Sequence, residues 1–225
     1  MQFSHLHNHS QFSLLDGASK ISSMFKKAKE DNMPAVAITD HGNMFGVFQF
    51  VAEAGKHGVK PIVGCEFYLV TDRHKQVFTK ELKDKRYHQL FLAKNPEGYQ
   101  NLIKLCSLGF MEGMYSKYPR IDKELVLKYH KGLIATTCCL GASVPQAILR
   151  AGEDEAEKEF KWWLDLFGED YYVEVQNHHI PEQQVVNEVL LRFAKKYNVK
   201  VIASNDSHYL DQKDANAHDI LLCIN

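Results

Sequence analysis

The chain is short of the features that most directly mark a function class. It has no excess of charge: 27 Lys and Arg against 28 Asp and Glu leave a formal net charge of −1 and a pI near 6.9. That balance excludes a protein that grips nucleic acid through a broad basic field, so any phosphate has to be held locally. Cysteine is sparse, five in all and without CxxC or ribbon spacing. An odd, unpatterned set argues against a disulfide framework and for a reduced, cytoplasmic protein. No apolar run approaches the roughly 18 residues that cross a bilayer, and MQFSHLHNHS lacks the regions of a signal peptide, so no membrane partner is expected. Internal repeats, low-complexity tracts and linkers are absent too.

What is present is 225 residues, 45% hydrophobic, enough for one α/β domain with a full core. Apolar, β-branched runs fall at Ala35 to Thr39, Pro61 to Val70, Leu90 to Ala93, Leu133 to Thr137, Tyr171 to Val175 and Val199 to Ala203, with an opening strand around Phe3 to His7. Amphipathic or capped helical patterns lie at Ile21 to Asp31, from Asn95-Pro96 through Leu105, at Glu153 to Phe167 and at Pro181 to Tyr197. Strand alternating with helix predicts a parallel sheet with right-handed crossovers, here a distorted seven-stranded barrel of TIM-like type. The charged Thr71 to Tyr87 and the glycine- and tyrosine-rich Gly109 to Asp122 read as long loops, which in compact domains tend to be functional. Asp214 to Asn225 is an apolar helix pattern without a stop signal, so a fragment of a longer chain is expected. Cys65, Cys106 and Cys223 sit in apolar runs and read as core residues, whereas His57, His74 and His130 read as surface.

The strand-like stretches run into side chains that ligate metals. These are His7 and His9, Asp40 and His41, Glu66, His88, Cys139, His178 and His179, and Asp206 and His208. Converging strand ends at a barrel mouth would gather them in one pocket. His7 and His9, two residues apart on a strand, point the same way, as do Asp206 and His208. A histidine-rich shell with carboxylates suits zinc, manganese or iron better than magnesium. Taken singly, each has a plainer reading. Asp40 fits an N-cap before a helix near Asn43, His5 continues the alternation of His7 and His9 so that one of the three could be a packed core histidine, and Cys138 or Cys139 could be an ordinary buried thiol. Together the plainer readings need a coincidence at every strand end, which favours a metal site.

HLHNHS, TDHG, GCEFY, the YH of RYHQL, the CL of TTCCLG and NDSHY occur in the order of the motif series of the PHP (polymerase and histidinol phosphatase) domain family. FSLLDGASKI, MPAVAITDHGNMFG, LAKNPEGYQNLIKLCS and IPEQQVVNE resemble the subgroup found at the N-terminus of bacterial replicative DNA polymerase III alpha subunits. The resemblance covers essentially the whole chain. It implies a barrel holding up to three divalent metals at its C-terminal mouth: one on His7, His9, Glu66 and Asp206, a second on Asp16, His41 and His208, a third on Glu66, His88 and Cys139. The doubled Cys138-Cys139 leaves the thiol register open by one residue, and Cys139 is preferred because it precedes Leu140-Gly141. The resemblance further implies a phosphoesterase, a 3′-5′ exonuclease acting on single-stranded or primer-terminus DNA. Its hydroxide would bridge metals held by His7, His9, Glu66 and Asp206, and Arg120 and His178 would contact phosphate. The partners implied are the polymerase core of the same chain and other replisome subunits. Two rivals stand beside this: a scaffold domain without chemistry of its own, and a small-molecule phosphatase.

Overall fold

The computed structural model describes residues 3–80 and 82–224. The first helix, α1 (Ile21–Glu30), turns Ile21, Met24, Phe25 and Ala28 inward and places Lys27 and Lys29 in its last turn, where cations favour the helix dipole. It is followed by the fully buried β1 (Ala35–Ile38), α2 (Val47–His57) and the long β2 (Lys60–Val70). After β3 (Tyr87–Ala93) comes α3 (Pro96–Glu112), with Pro96 in its first turn and the Asn95 side chain accepting the Gly98 amide at 2.9 Å. The short β4 (Arg120–Asp122) ends in the cap of α4 (Lys123–Tyr129), where Asp122 accepts the Leu125 amide at 3.2 Å. The rest runs β5 (Leu133–Thr136), α5 (Ser143–Arg150), α6 (Glu153–Phe167), β6 (Tyr171–Val175), α7 (Pro181–Tyr197), β7 (Lys200–Ala203) and α8 (Ala215–Leu222).

The strands form one seven-stranded sheet in the order β1-β2-β3-β5-β6-β7, with β4 also pairing β2. An α/β sheet curled toward a barrel is the predicted class. Its composition differs from the prediction in two ways. The expected strand at Phe3 to His7 is not a named strand; instead an extended segment lies between β1 and the turn after β7. Ala37 and Thr39 donate to the carbonyls of His5 and Asn8, and across its other edge the His9 amide donates to the Ser207 carbonyl at 2.8 Å while the Ser207 amide donates to the His7 carbonyl at 3.1 Å. The seventh strand is β4, inside the stretch expected to be loop, where three buried residues are too few to show a period.

The sheet is also not wholly parallel. β3 runs against both β2 and β5, while β1/β2, β2/β4, β5/β6 and β6/β7 are parallel. Among the described residues of the connection from β2 to β3 there is no helix, and the chain turns back instead of crossing over. One consequence bears on the site: His88 is the second residue of β3, and only a reversed strand puts its beginning at the mouth where the other strands end.

The main core packs Phe91, Leu105, Phe160, Trp163, Tyr171 and Phe193 between the sheet and α3, α6 and α7. A second cluster joins α1, α2 and β1 through Phe25, Phe50 and Ile38. Cys65 belongs to the core as expected and Cys106 is half-buried, but Cys223 is exposed because α8 has no buried residue. At the end of the strands away from the mouth an apolar cavity of about 810 Å³ is lined by Leu6, Ile62, Leu92, Ile134 and Ile202.

The docking of α3 depends on a close backbone approach. A Cβ at Gly98 would lie 1.7 Å from the Gly132 carbonyl oxygen, which cannot swing away as a side chain can. Gly98→Ala should therefore cost about 1–3 kcal/mol, read as a lower urea midpoint with an unchanged slope.

Candidate metal centre

Glu66 is the hub. It lies on β2 beyond the end of β1, bridged to His41, and is fully buried. Its two oxygens face different donors. Oε2 lies 3.1 Å from His7 Nε2, 2.9 Å from His9 Nε2 and 3.3 Å from His41 Nδ1. Oε1 lies 2.9 Å from His88 Nδ1 and 3.3 and 3.5 Å from the thiols of Cys138 and Cys139. Asp206 Oδ1 closes the first set at 3.3 Å from His7 Nε2 and 3.1 Å from His9 Nε2. Beside it, Asp16 Oδ2 meets His41 Nε2 at 3.0 Å and His208 Nε2 at 3.1 Å. The His9 ring stacks between those of His41 and His208, with centroids 4.1 and 4.2 Å away.

His7 and His9 share a side as their spacing predicts. Asp206 and His208 do not owe their placement to strand alternation, because β7 stops at Ala203 and Asp206 takes a left-handed conformation at φ 48°. That turn sends Asp206 to the His7 and His9 set and His208 to Asp16 and His41. A left-handed aspartate costs free energy, and such strain persists where the surroundings fix it.

A layer of polar side chains behind the donors aims them. Glu174 on β6 accepts from His7 Nδ1 at 2.8 Å and is itself held by Thr136 at 2.6 Å, by Gln176 at 3.1 Å and by Ser204. Ser13 Oγ meets His9 Nδ1 at 2.9 Å and donates to Asp40 at 2.8 Å, while Asp40 also accepts the Ser10 amide and hydroxyl. His208 Nδ1 donates to the Asp206 carbonyl at 2.8 Å. With Nδ1 anchored, each of these three rings presents its Nε2 lone pair to the centre, an arrangement typical of metal-ligating histidines. Sequence reading missed Glu174 and Ser13. A lone glutamate within the apolar run YYVEV is the one signal that could have found the first.

Other predicted residues lie elsewhere. Asp40 is buried but neither faces the donors nor caps α2; it ties down the Ser10 to Ser13 turn. Arg120 is fully buried and its guanidinium is committed to the carbonyls of Gly113, Arg73 and Lys75 and to Asp84 at 3.1 Å. It anchors the 71–86 connection and is not offered to a phosphate. His178 is held by Gln183 and by the Asn205 carbonyl, and His179 is exposed; neither joins the cluster. His5 turns away and packs edge-on against Phe3.

The geometry fits divalent cations. His9 Nε2, His41 Nδ1 and Asp206 Oδ1 are buried without a hydrogen-bond partner, although acceptors and donors crowd around them. Converging imidazole, carboxylate and thiol groups of this kind need either protons or metal ions between them. Without ions, protons fill the role. Burial opposes charge on His9, but the carboxylates of Asp206 and Glu66, 3.1 and 2.9 Å from its Nε2, outweigh it and raise the group to about 10. Burial likewise opposes charge on His88, and the Glu66 carboxylate raises it to about 11. Burial pushes Glu66 and Asp206 upward, yet the surrounding histidines hold both well below the carboxylate range. His41 goes the other way, lowered by burial and by His9.

The sign of the pH dependence follows. Raised histidines stabilise the metal-free fold fully below their ordinary 6.5 and lose that contribution as pH rises through about 10 and 11. Depressed carboxylates contribute above their ordinary values of 3.8 and 4.5 and lose it as pH falls below them. The chelated protein should thus melt highest between about pH 4.5 and 6.5. Saturating metal should move the optimum upward, because ligation needs neutral imidazole. Thermal melts from pH 4 to 10 with and without chelator measure both.

A cleft of about 1360 Å³ opens over the cluster, bounded by Asp16, His41, Tyr68 and His88 on the cluster side. The PHP domain model matches residues 5–178. DNA polymerase III subunit alpha of Borreliella burgdorferi is 46% identical over 99% of this chain, and that of Thermus aquaticus 46% over all of it. The chain spans only 19% and 18% of those two proteins. A solved structure, provisionally assigned as a metal-dependent phosphoesterase of Bifidobacterium adolescentis, superposes with a TM-score of 0.60 at 16% identity over 98% of this chain and 96% of that one, which speaks to fold alone. The motif order, the barrel and the family match agree, and the chain belongs to the PHP domain family.

Proposed function

We propose that this PHP domain is a metal-dependent phosphoesterase that shortens single-stranded or primer-terminus DNA from its 3′ end, as part of a longer cytoplasmic polymerase chain of DNA polymerase III alpha type. The observation that carries the reading is the division of Glu66 between two donor sets beneath an open cleft. His7, His9, Glu66 and Asp206 would hold one ion, Asp16, His41 and His208 a second, and Glu66, His88 and Cys139 a third. Closely spaced divalent ions supply an activated water at neutral pH and neutralise phosphate oxygens. Imidazole and thiolate donors favour zinc, manganese or iron over magnesium.

The protein's own residues supply placement. Glu174 and Ser13 keep a proton on Nδ1 of His7 and His9, so both rings bind through Nε2. The cleft exceeds the volumes of ordinary small-ligand pockets, roughly 300–1,000 Å³, which favours a polymer over a small monoester. Lys85, Arg86 and Arg150 line it with Phe45, Phe110 and Tyr118, the pairing of cations with stacking faces that suits a single strand. Arg86 already lies over the Tyr118 ring at 3.7 Å.

Asp206→Asn keeps side-chain shape and removes the charge facing His7 and His9. On the nuclease reading it should lower single-strand shortening roughly 100-fold or more, alongside the drop in melting temperature that comes from losing the carboxylate that faces His7 and His9. If the domain is a scaffold, the wild type cuts nothing and the substitution shows only as a lower melting temperature. A chelated sample should recover activity with manganese or zinc better than with magnesium, and full recovery with magnesium alone would contradict the donor argument.

A further inference from the structure

The two adjacent cysteines are not equivalent, and the one not assigned by the motif series has the less ordinary backbone. Cys138 sits at φ 57°, in the left-handed region that a side chain with a Cβ adopts at a cost, and its side chain is buried. The conformation is held: the Cys138 amide donates to Thr136 Oγ1 at 2.9 Å, and Thr136 is fixed by Glu174. The left-handed turn points the Cys138 thiol back at Glu66 Oε1, 3.3 Å away, so that two successive side chains reach one carboxylate oxygen. Cys139 lies 3.5 Å from both that oxygen and His88 Nδ1, and His88 Nδ1 is 2.9 Å from the oxygen. Donors around one tetrahedral zinc, with bonds of about 2.0–2.3 Å, stand roughly 3.3–3.8 Å apart. Glu66, Cys138 and Cys139 can all offer a donor atom to a common ion.

We infer that Cys138 is a fourth ligand of the ion held by Glu66, His88 and Cys139, giving that position two thiolates, one imidazole and one carboxylate oxygen. The inference rests on the proposed metal centre and deepens it. Binding replaces the two thiol protons, which pass to solvent, with one divalent cation, and no oxidant is involved. Two thiolates make this position the most thiophilic of the cluster, selective for zinc, or for cobalt as a probe, over manganese and magnesium. The remaining donors, all nitrogen and oxygen, stay open to harder ions. The centre would be a mixed one, with a closed four-ligand zinc position beside positions that keep room for substrate.

The test is cobalt(II) substitution of the chelated chain, anaerobic and reduced, read by thiolate-to-cobalt charge transfer in the near ultraviolet. Wild type should show the intensity of two thiolates on one tetrahedral ion, and Cys138→Gly and Cys139→Ser should each fall to about half. Glycine adopts the left-handed conformation without strain, which offsets part of the cost of emptying the buried position. Zinc should therefore raise the melting temperature of Cys138→Gly much less than that of wild type, a loss of metal-linked stabilisation that a purely structural cysteine would not give. Full charge-transfer intensity in Cys138→Gly, or a zinc-induced rise in its melting temperature equal to that of wild type, overturns the inference and leaves the wider metal centre standing. Failure of the wild type to take up cobalt at all overturns both.

Discussion

A fully buried carboxylate at the centre of a ring of imidazoles is the constraint on which the rest depends. Removing an ionised carboxylate from water costs several kcal/mol unless it is paired on every side, and Glu66 has no solvent to fall back on. Its pairing partners come from the segment before α1, from the ends of β1 and β5 and from the start of β3. Charge compensation at one point thus ties together, at the mouth, elements that pack deeper down through Leu6, Ala37, Leu90 and Ile134. It explains why the segment bearing His7 and His9 runs extended between β1 and the turn after β7 without forming a regular strand of its own. Its conformation answers to where two rings must point as much as to sheet pairing.

Around this hub lies a second polar stratum that is as buried as the first. Glu174, Thr136, Ser204 and Gln176 interlock beneath His7, and Asp40, Ser10 and Ser13 beneath His9. Buried hydrogen-bonded networks are costly when incomplete and rigid when complete. Here they fix ring orientation before any ion arrives, so ordering the donors does not have to be met by binding. Among the described residues, three of the five buried side-chain atoms left without a hydrogen bond belong to the donors of the cluster, at His9, His41 and Asp206; the other two are His5 Nδ1 and the Tyr171 hydroxyl.

Much of this was legible from the chain. The helices at Ile21, Pro96, Glu153 and Pro181 carry clear amphipathic or capping signals, and the structure places them within a residue or two of expectation at their starts. The donors His7, His9, Asp16, His41, Glu66, His88, Cys139, Asp206 and His208 do come together. What could not be read was orientation. Nothing in YHQLFLA says which way the strand runs; that is decided by its antiparallel pairing with β2 and β5. Arg120 was expected at phosphate, within a stretch read as loop, yet a short strand buries it. Asp40 looked like a ligand or a cap, and only the folded turn at Ser10 to Ser13 shows what it holds. Composition marks which side chains can do chemistry, whereas their aim is a property of the assembled sheet.

The reversal of β3 has a consequence for how this architecture can vary. Because the chain leaves β2 at the mouth and re-enters β3 at the same mouth, the connection between them starts and ends at the rim. Loop closure grows only slowly more costly with length, and the buried Arg120 and Arg73 pins hold the connection near its two ends. Thr71, Asp84, Lys85 and Arg86 of this connection line the cleft, so changes of length beside them would reshape its wall while the strands that carry the donors keep their register. The shape of the cleft and the geometry of the donors are therefore mechanically separate, and one can change without the other.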